Sequence, residues 1–217
     1  MRYAIAAAMS RANREIPHYY VSTTVDLQPA MDWLGARNRQ RTVVDRLIPG
    51  ALFLKASALA MREVPELNAH WLGDGAPTLD RVHVGVAISL PQGGLVAPAI
   101  HDADRLSLGA LMNAFKDLVK RARAGGLKSS EMSDATVTVT SLGERGVDAV
   151  FPIINPPQVA MVGFGRIVER PWSVDGQVVS RSVVTATLAA DHRVSDGHRG
   201  GLYLAAIERL LQSPEEL

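Results

Sequence analysis

The chain has 217 residues, 47% of them hydrophobic and 21% charged, which is the composition of a globular protein with enough apolar material for a sizeable core, and excludes a disordered or fibrous one. Lys+Arg 23 against Asp+Glu 22 leaves a formal charge of +1, so no global field draws the protein to nucleic acid or to an anionic membrane. The absence of cysteine excludes disulfides, thiolate metal ligands and a cysteine nucleophile together.

Met1 to Glu15 reads as a helix that stops at Ile16-Pro17, because proline disfavours helical geometry in the residue before it. Its Ala-rich start carries no cleavage-site pattern, and no run reaches the roughly 18 apolar residues that span a bilayer, so a soluble, cytoplasmic protein is expected. Tyr19 to Leu27, rich in Tyr, Val and Thr, suits a strand. Pro29 opens a second helix carrying Met31, Trp33 and Leu34, which is expected to dissolve into a solvated basic loop over Arg37-Asn38-Arg39-Gln40-Arg41.

Pro49 to Val64 is apolar around its circumference and predicts a helix buried on most sides. Val82 to Leu90 and Leu95 to Ile100 read as strands joined in a hairpin-like element through Pro91-Gln92-Gly93-Gly94. Leu106 to Ala124 is an amphipathic helix with basic residues at its C-terminal end, closed by Gly125-Gly126. Short β-rich runs follow at Thr136 to Thr140, Val159 to Gly165 and Ser182 to Leu188, and a last helix covers Gly200 to Leu211. Strands joined by non-helical connections imply a mixed or antiparallel sheet in a single α/β domain spanning residues 1–217.

The segment with the most chemistry is Ala189-Ala190-Asp191-His192-Arg193-Val194-Ser195-Asp196-Gly197. It places an imidazole after a β-run and a carboxylate four residues later, at the turn into the last helix, where a side chain is exposed yet rigidly held. An imidazole of ordinary pKa near about 6.5 takes a proton readily from a thiol of pKa about 8.5. Blander roles stand beside this one: Asp196 as a helix N-cap, His192 as a satisfied buried histidine, or His192, Asp196 and His198 as metal ligands, the last the weakest because nothing else supplies a ligand pair.

Asp191-His192-Arg193 followed by Asp196-Gly197 and a C-terminal helix resembles the active-site signature of the dihydrolipoyl acyltransferases, the core components of 2-oxo acid dehydrogenase complexes. The shorter His-x-x-x-Asp-Gly pattern is shared with chloramphenicol acetyltransferase. Further segments are similar to the family in the same order: the opening Met1 to Met9, Ile16-Pro17-His18-Tyr19-Tyr20, Arg62 to Ala69, Thr136 to Gly143 and Ile153 to Gln158. The resemblance implies a chloramphenicol acetyltransferase-like α/β domain with a mixed sheet flanked by helices, assembled as a trimer with active sites between subunits.

The activity so implied is transfer of an acyl group, acetyl foremost, between dihydrolipoamide and CoA. His192 would be the general base, Thr140 of a neighbouring subunit the oxyanion donor, and Asp196 a positioning group; Asp191 and Arg193 would hold the turn by ion pairing. The lipoyl group would ride on a separate or missing domain, the chain being either a fragment of a longer protein or a free-standing relative. Decarboxylase and dihydrolipoamide dehydrogenase components would be partners, with trimers possibly forming a larger shell. Two positions depart from the family: Leu34 and Ile48 stand where relatives carry a basic and a hydroxyl residue that hold the nucleotide end of CoA, a task open to Arg37, Arg39 or Arg41. Two other functions remain open on sequence: a stand-alone CoA-dependent acyltransferase acting on an alcohol or amine, and a non-catalytic trimeric scaffold.

Overall fold

The computed structural model describes residues 2–91 and 93–217. The first helix, α1 (Arg2–Glu15), ends as expected before Ile16-Pro17 and leads into strand β1 (His18–Asp26); Met1, included in the expected helix, lies outside the described residues. Helix α2 (Gln28–Arg39) has its proline in the first turn, but it does not dissolve at Arg37 as expected. Arg and Gln are good helix formers, and cations in a last turn complement the helix dipole, so the basic run prolongs the helix.

Helix α3 (Pro49–Glu63) is buried almost throughout, Lys55 included. That ammonium survives burial because it donates to the carbonyls of Asp104 at 2.7 Å and Leu106 at 2.6 Å, tying α3 to the loop that precedes the next long helix. The expected hairpin is present but broken. It divides into β2 (Val84–Val86), β3 (Ile88–Ser89), β4 (Leu95–Val96) and β5 (Ala99–Ile100), with β2 paired to β5 and β3 to β4. Val86 N–H donates to the Pro98 carbonyl at 2.9 Å, but Pro98 has no N–H to return the second bond and the β2–β5 ladder ends there, while on the other edge Ala87 N–H donates to the Val139 carbonyl at 3.0 Å. Gln92, within the expected turn, lies outside the described residues.

Helix α4 (Leu108–Ala124) starts on Ser107, whose hydroxyl caps Ala110 N–H, and closes on Gly125 in the left-handed conformation at φ 74°. A short helix, α5 (Ser129–Ser133), which the sequence reading did not anticipate, precedes β6 (Val137–Ser141) and β7 (Ala160–Phe164). Two strands differ more from expectation. β8 (Val168–Val174) was missed, and the run expected over Ser182 to Leu188 is the middle of a much longer β9 (Gln177–Asp191). The two form a ribbon around Asp175-Gly176, both at positive φ (50° and 77°), before β9 enters the main sheet between β1 and β7. Helix α6 (Gly197–Gln212) closes the fold.

The sheet order is β1-β9-β7-β6-β2-β5, with β8 continuing alongside β9. β6 runs parallel to β2 and β7 and the other pairs are antiparallel, so the sheet is mixed, as expected. One face carries Leu188 and Ala190 of β9, Val137 and Val139 of β6, and the packed helices α3, α4 and α6. The other is covered in part by α1 and the residue that follows it, through Ala12 and Ile16 against Met161, Ala189 and Ile154. The segment 147–150 crosses this second face so closely that a Cβ at Gly165 would lie 1.9 Å from the carbonyl oxygen of Asp148. No helix among the described residues is long and apolar enough to cross a membrane.

Candidate active site

His192 follows the last residue of β9 directly, five residues before α6 begins. Its N–H donates to the carbonyl of Pro17 at 2.9 Å, so the end of β9 and the entry to β1 hold its backbone from both sides. The ring is exposed in the single chain and meets the ring of Tyr19 edge-on, centroids 5.2 Å apart at 67°. Tyr19, opposite Ala190 in the β1–β9 register, reaches past the strand end to place its hydroxyl 2.9 Å from Oγ of buried Ser195. Burial pushes the Tyr19 phenol up from its ordinary value.

The turn itself is held by Asp191. This carboxylate is fully buried and accepts from the backbone N–H of Arg193 at 3.0 Å and from its guanidinium at 2.6 to 3.2 Å, while the Asp191 carbonyl accepts from the N–H groups of Val194 and Ser195. The Arg193 guanidinium also stacks over Trp71, 4.1 Å from the ring centroid. Asp191 and Arg193 therefore hold the turn by ion pairing, as the sequence suggested.

Asp196 is the N-cap of α6. Its Oδ1 accepts from Arg199 N–H at 3.0 Å, and that hydrogen bond, with one from His198 N–H, holds the carboxyl below its ordinary range. Arg199 reaches across to Glu66, so the Arg62 to Ala69 segment braces the first turn of α6. His18, although part of the same family-like segment, has both ring nitrogens committed: Nδ1 lies 2.8 Å from the Ile16 carbonyl, and Nε2 accepts from Ile154 N–H at 3.0 Å. Its role is to tie β1 to the segment before β7.

The three candidate catalytic residues are not brought together within the chain. His192 and Asp196 share one turn, but Thr140 lies elsewhere. It sits opposite Gly163, which sits opposite Thr187; at about 3.3 Å per residue and about 4.8 Å per strand, Thr140 is on the order of 15–20 Å from His192. It also occupies the other face, since Val137 and Val139 point into the helix-covered core, the side against which Tyr19, the neighbour of His192, packs. Sequence inspection missed Tyr19 as the neighbour of the histidine, and Ser195, Glu66 and Trp71 as the residues that hold Tyr19, Arg199 and Arg193 around it. Tyr19, Glu66 and Ser195 lie in segments already singled out, Ile16 to Tyr20, Arg62 to Ala69 and Ala189 to Gly197, while Trp71 left no signal.

At the expected CoA positions, Leu34 is buried in the core and Ile48, just before α3, is 42% exposed. Arg37 stacks over Trp33 at 4.9 Å. Arg41 donates to the Asp45 carbonyl, and Lys116 of α4 donates to the Val44 carbonyl, so the exposed end of α2 and the loop after it form a basic edge with Arg39.

The family model for 2-oxoacid dehydrogenases acyltransferase (catalytic domain) matches residues 1–217. Among curated proteins, the dihydrolipoyllysine-residue acetyltransferase component of the pyruvate dehydrogenase complex of Rhizobium meliloti (strain 1021) is 34% identical over 219 residues, covering 99% of this chain and 49% of that protein. The chain thus spans about half the length of the curated relatives it matches. Among solved structures, the dihydrolipoamide acetyltransferase of Azotobacter vinelandii, in which the roles of a serine, a histidine and an asparagine in catalysis were investigated, superposes with a TM-score of 0.91 at 26% identity, covering 99% of this chain and 89% of that one. Chloramphenicol acetyltransferase, at 13% identity, 94% coverage of each chain and a TM-score of 0.60, shares the fold. With the family model matched over the chain's whole length and a curated relative 34% identical over 99% of it, the chain belongs to the 2-oxoacid dehydrogenase acyltransferase (catalytic domain) family.

Proposed function

We propose that the protein moves an acyl group, acetyl foremost, between dihydrolipoamide and CoA, as the acyltransferase core of a cytoplasmic 2-oxo acid dehydrogenase complex, and that its active site closes between neighbouring subunits of a trimer. One observation carries this reading: His192 is fixed at a strand end with its ring open, while the hydroxyl it needs, Thr140, is on the far face of the same sheet. A site that uses both is completed by a second copy. The serine, histidine and asparagine studied in the Azotobacter vinelandii enzyme are separated along that chain by the same intervals as Thr140, His192 and Asp196, which supports assigning these three residues together.

In the proposed reaction His192 removes the proton of the CoA thiol, and the sulfur attacks the thioester carbonyl of acyl-dihydrolipoamide. A C–S bond forms, and the tetrahedral oxyanion accepts a hydrogen bond from Thr140 of the neighbouring subunit. Collapse breaks the bond to the dihydrolipoamide sulfur, which leaves with the proton held by His192. Asp196 takes no proton; depressed by its N-cap hydrogen bonds, it stays anionic beside the imidazole and stabilises it when it is charged. CoA and dihydrolipoamide are substrates here, the lipoyl group being carried on a separate domain, and the decarboxylase and dihydrolipoamide dehydrogenase components are the partners that load and reoxidise it. With Leu34 buried, the basic edge of Arg39 and Arg41 is the place for the nucleotide phosphates of CoA.

The test is the rate of acetyl transfer from acetyl-CoA to free dihydrolipoamide. His192→Ala is expected to lower it by roughly a hundredfold or more, the scale of a positioned general base. An unmeasurable rate in the intact wild-type assembly would overturn the acceptor assignment, and a His192→Ala rate equal to wild type would overturn the mechanism.

A further inference from the structure

No side chain among the described residues is hydrogen-bonded to the imidazole of His192, whose ring neighbour is Tyr19: the Asp191 carboxylate is taken up by Arg193, and Asp196 gives its hydrogen bonds to the backbone of α6 and acts on the imidazole through its charge alone. Tyr19 is itself held at both ends. Its backbone pairs with Ala190, one residue in from the end of the β1–β9 ladder, and its hydroxyl meets Ser195 Oγ at 2.9 Å. Ser195 in turn is fixed by its N–H to the Asp191 carbonyl and is buried. The first turn of α6 leaves room for the ring only because residue 200 is glycine: a Cβ there would lie 2.9 Å from Cε2 and 3.0 Å from the hydroxyl of Tyr19.

A phenol anchored through its hydroxyl cannot turn or tilt freely, so its ring presents a fixed wall to the imidazole, centroids 5.2 Å apart. We propose that Tyr19, latched by Ser195 and admitted by Gly200, is a positioning residue that holds the His192 ring in its reactive orientation. This inference rests on the proposed acyl transfer for its kinetic test, though not for its chemical one. The latch lies entirely within one chain, so it sets the ring's orientation in each subunit independently of the neighbour that supplies Thr140.

Three variants separate the ring from its latch. Tyr19→Phe and Ser195→Ala each remove the hydrogen bond and keep the wall; each is expected to lower kcat by about threefold to tenfold with KM for both substrates unchanged, and the double variant to fall no further than either, because the two act as one unit. Tyr19→Leu removes the wall and is expected to lower kcat by about thirtyfold or more. In a His192→Ala background none of the three should lower the residual rate further. Additive losses, or equal losses in that background, would overturn the proposal in favour of a general effect on the fold.

A second readout needs no turnover. Carbethoxylation of His192 by diethyl pyrocarbonate, followed by mass spectrometry of the intact assembly, should be about twofold to fivefold faster in Tyr19→Leu than in wild type, since the ring loses a wall and gains accessible directions. An unchanged modification rate in a folded Tyr19→Leu assembly would overturn the positioning role. A changed rate in a protein that transfers nothing would leave the latch standing and remove the proposed substrate.

Discussion

Asp191 and Gly200 show how much of the site depends on single atoms placed without slack. The Asp191 carboxylate is withdrawn from water and satisfied almost wholly by one arginine, whose own side chain is 30% exposed. Removing its charge in Asp191→Asn leaves the guanidinium with one neutral oxygen, and is expected to cost about 2–4 kcal/mol of stability, somewhat less than the roughly 3–5 kcal/mol of a fully buried pair because Arg193 keeps contact with water; urea unfolding measures it. Gly200→Ala sets two opposing effects against each other. A helical alanine gains about 1 kcal/mol over glycine, but the new methyl collides with the Tyr19 ring, and overpacking costs typically about 1–3 kcal/mol. A net loss of stability accompanied by a lower kcat is therefore expected, checked by thermal melting and the transfer assay together.

At the scale of elements, the short helix α5 is stapled to α4 by Glu131, which receives two guanidinium bonds from Arg121 at 2.6 Å and the N–H of Lys128 at 2.7 Å. Hydrogen bonding to Arg121 lowers the Glu131 carboxyl to about 2, from 4.5. A carboxyl depressed on folding contributes stability that is complete above its unfolded value and is lost as the pH falls from about 4.5 toward about 2. Glu131→Gln should accordingly flatten the pH dependence of stability across that window, seen by comparing denaturation midpoints of the two proteins from pH 6 down to about 2.5. At the end of α2, the double variant Arg39→Glu, Arg41→Glu is expected to raise KM for CoA by about tenfold, as two reversed charges near phosphates would, and to leave KM for dihydrolipoamide unchanged in steady-state assays.

For the whole molecule, a site divided between copies makes a prediction that a site within one chain does not. His192→Ala and Thr140→Ala are each expected to be nearly inactive as homogeneous assemblies. Denatured together in equal amounts and refolded, they form mixed interfaces in which an intact His192 faces an intact Thr140, so that about a quarter of wild-type activity returns for random assembly. Separate refolding followed by mixing should return none, and an equal lack of activity after joint refolding would place the whole site within one chain.

What was legible in the sequence was whatever depends on local pattern. The apolar circumference of α3, the proline in the first turn of α2, the Gly125 cap of α4 and the Asp191-to-Gly197 turn all rest on interactions within a few residues, and each is found where the pattern put it. The basic run at the end of α2 reads as a loop by charge although its residues are good helix formers, and β8 gives no local signal because Glu169, Arg170 and Ser173 leave the ribbon without an apolar run; only the Asp175-Gly176 pair marks its turn. The sequence by itself determined the family, the mixed α/β architecture and the residues able to carry the chemistry. Only the tertiary structure decided that Tyr19 and Ser195 meet beside His192 across 176 positions of chain, and that Thr140 stands on the opposite face of the sheet. Strand order and register fix such distances, and they follow from the simultaneous burial of both sheet faces, which no local run of residues encodes.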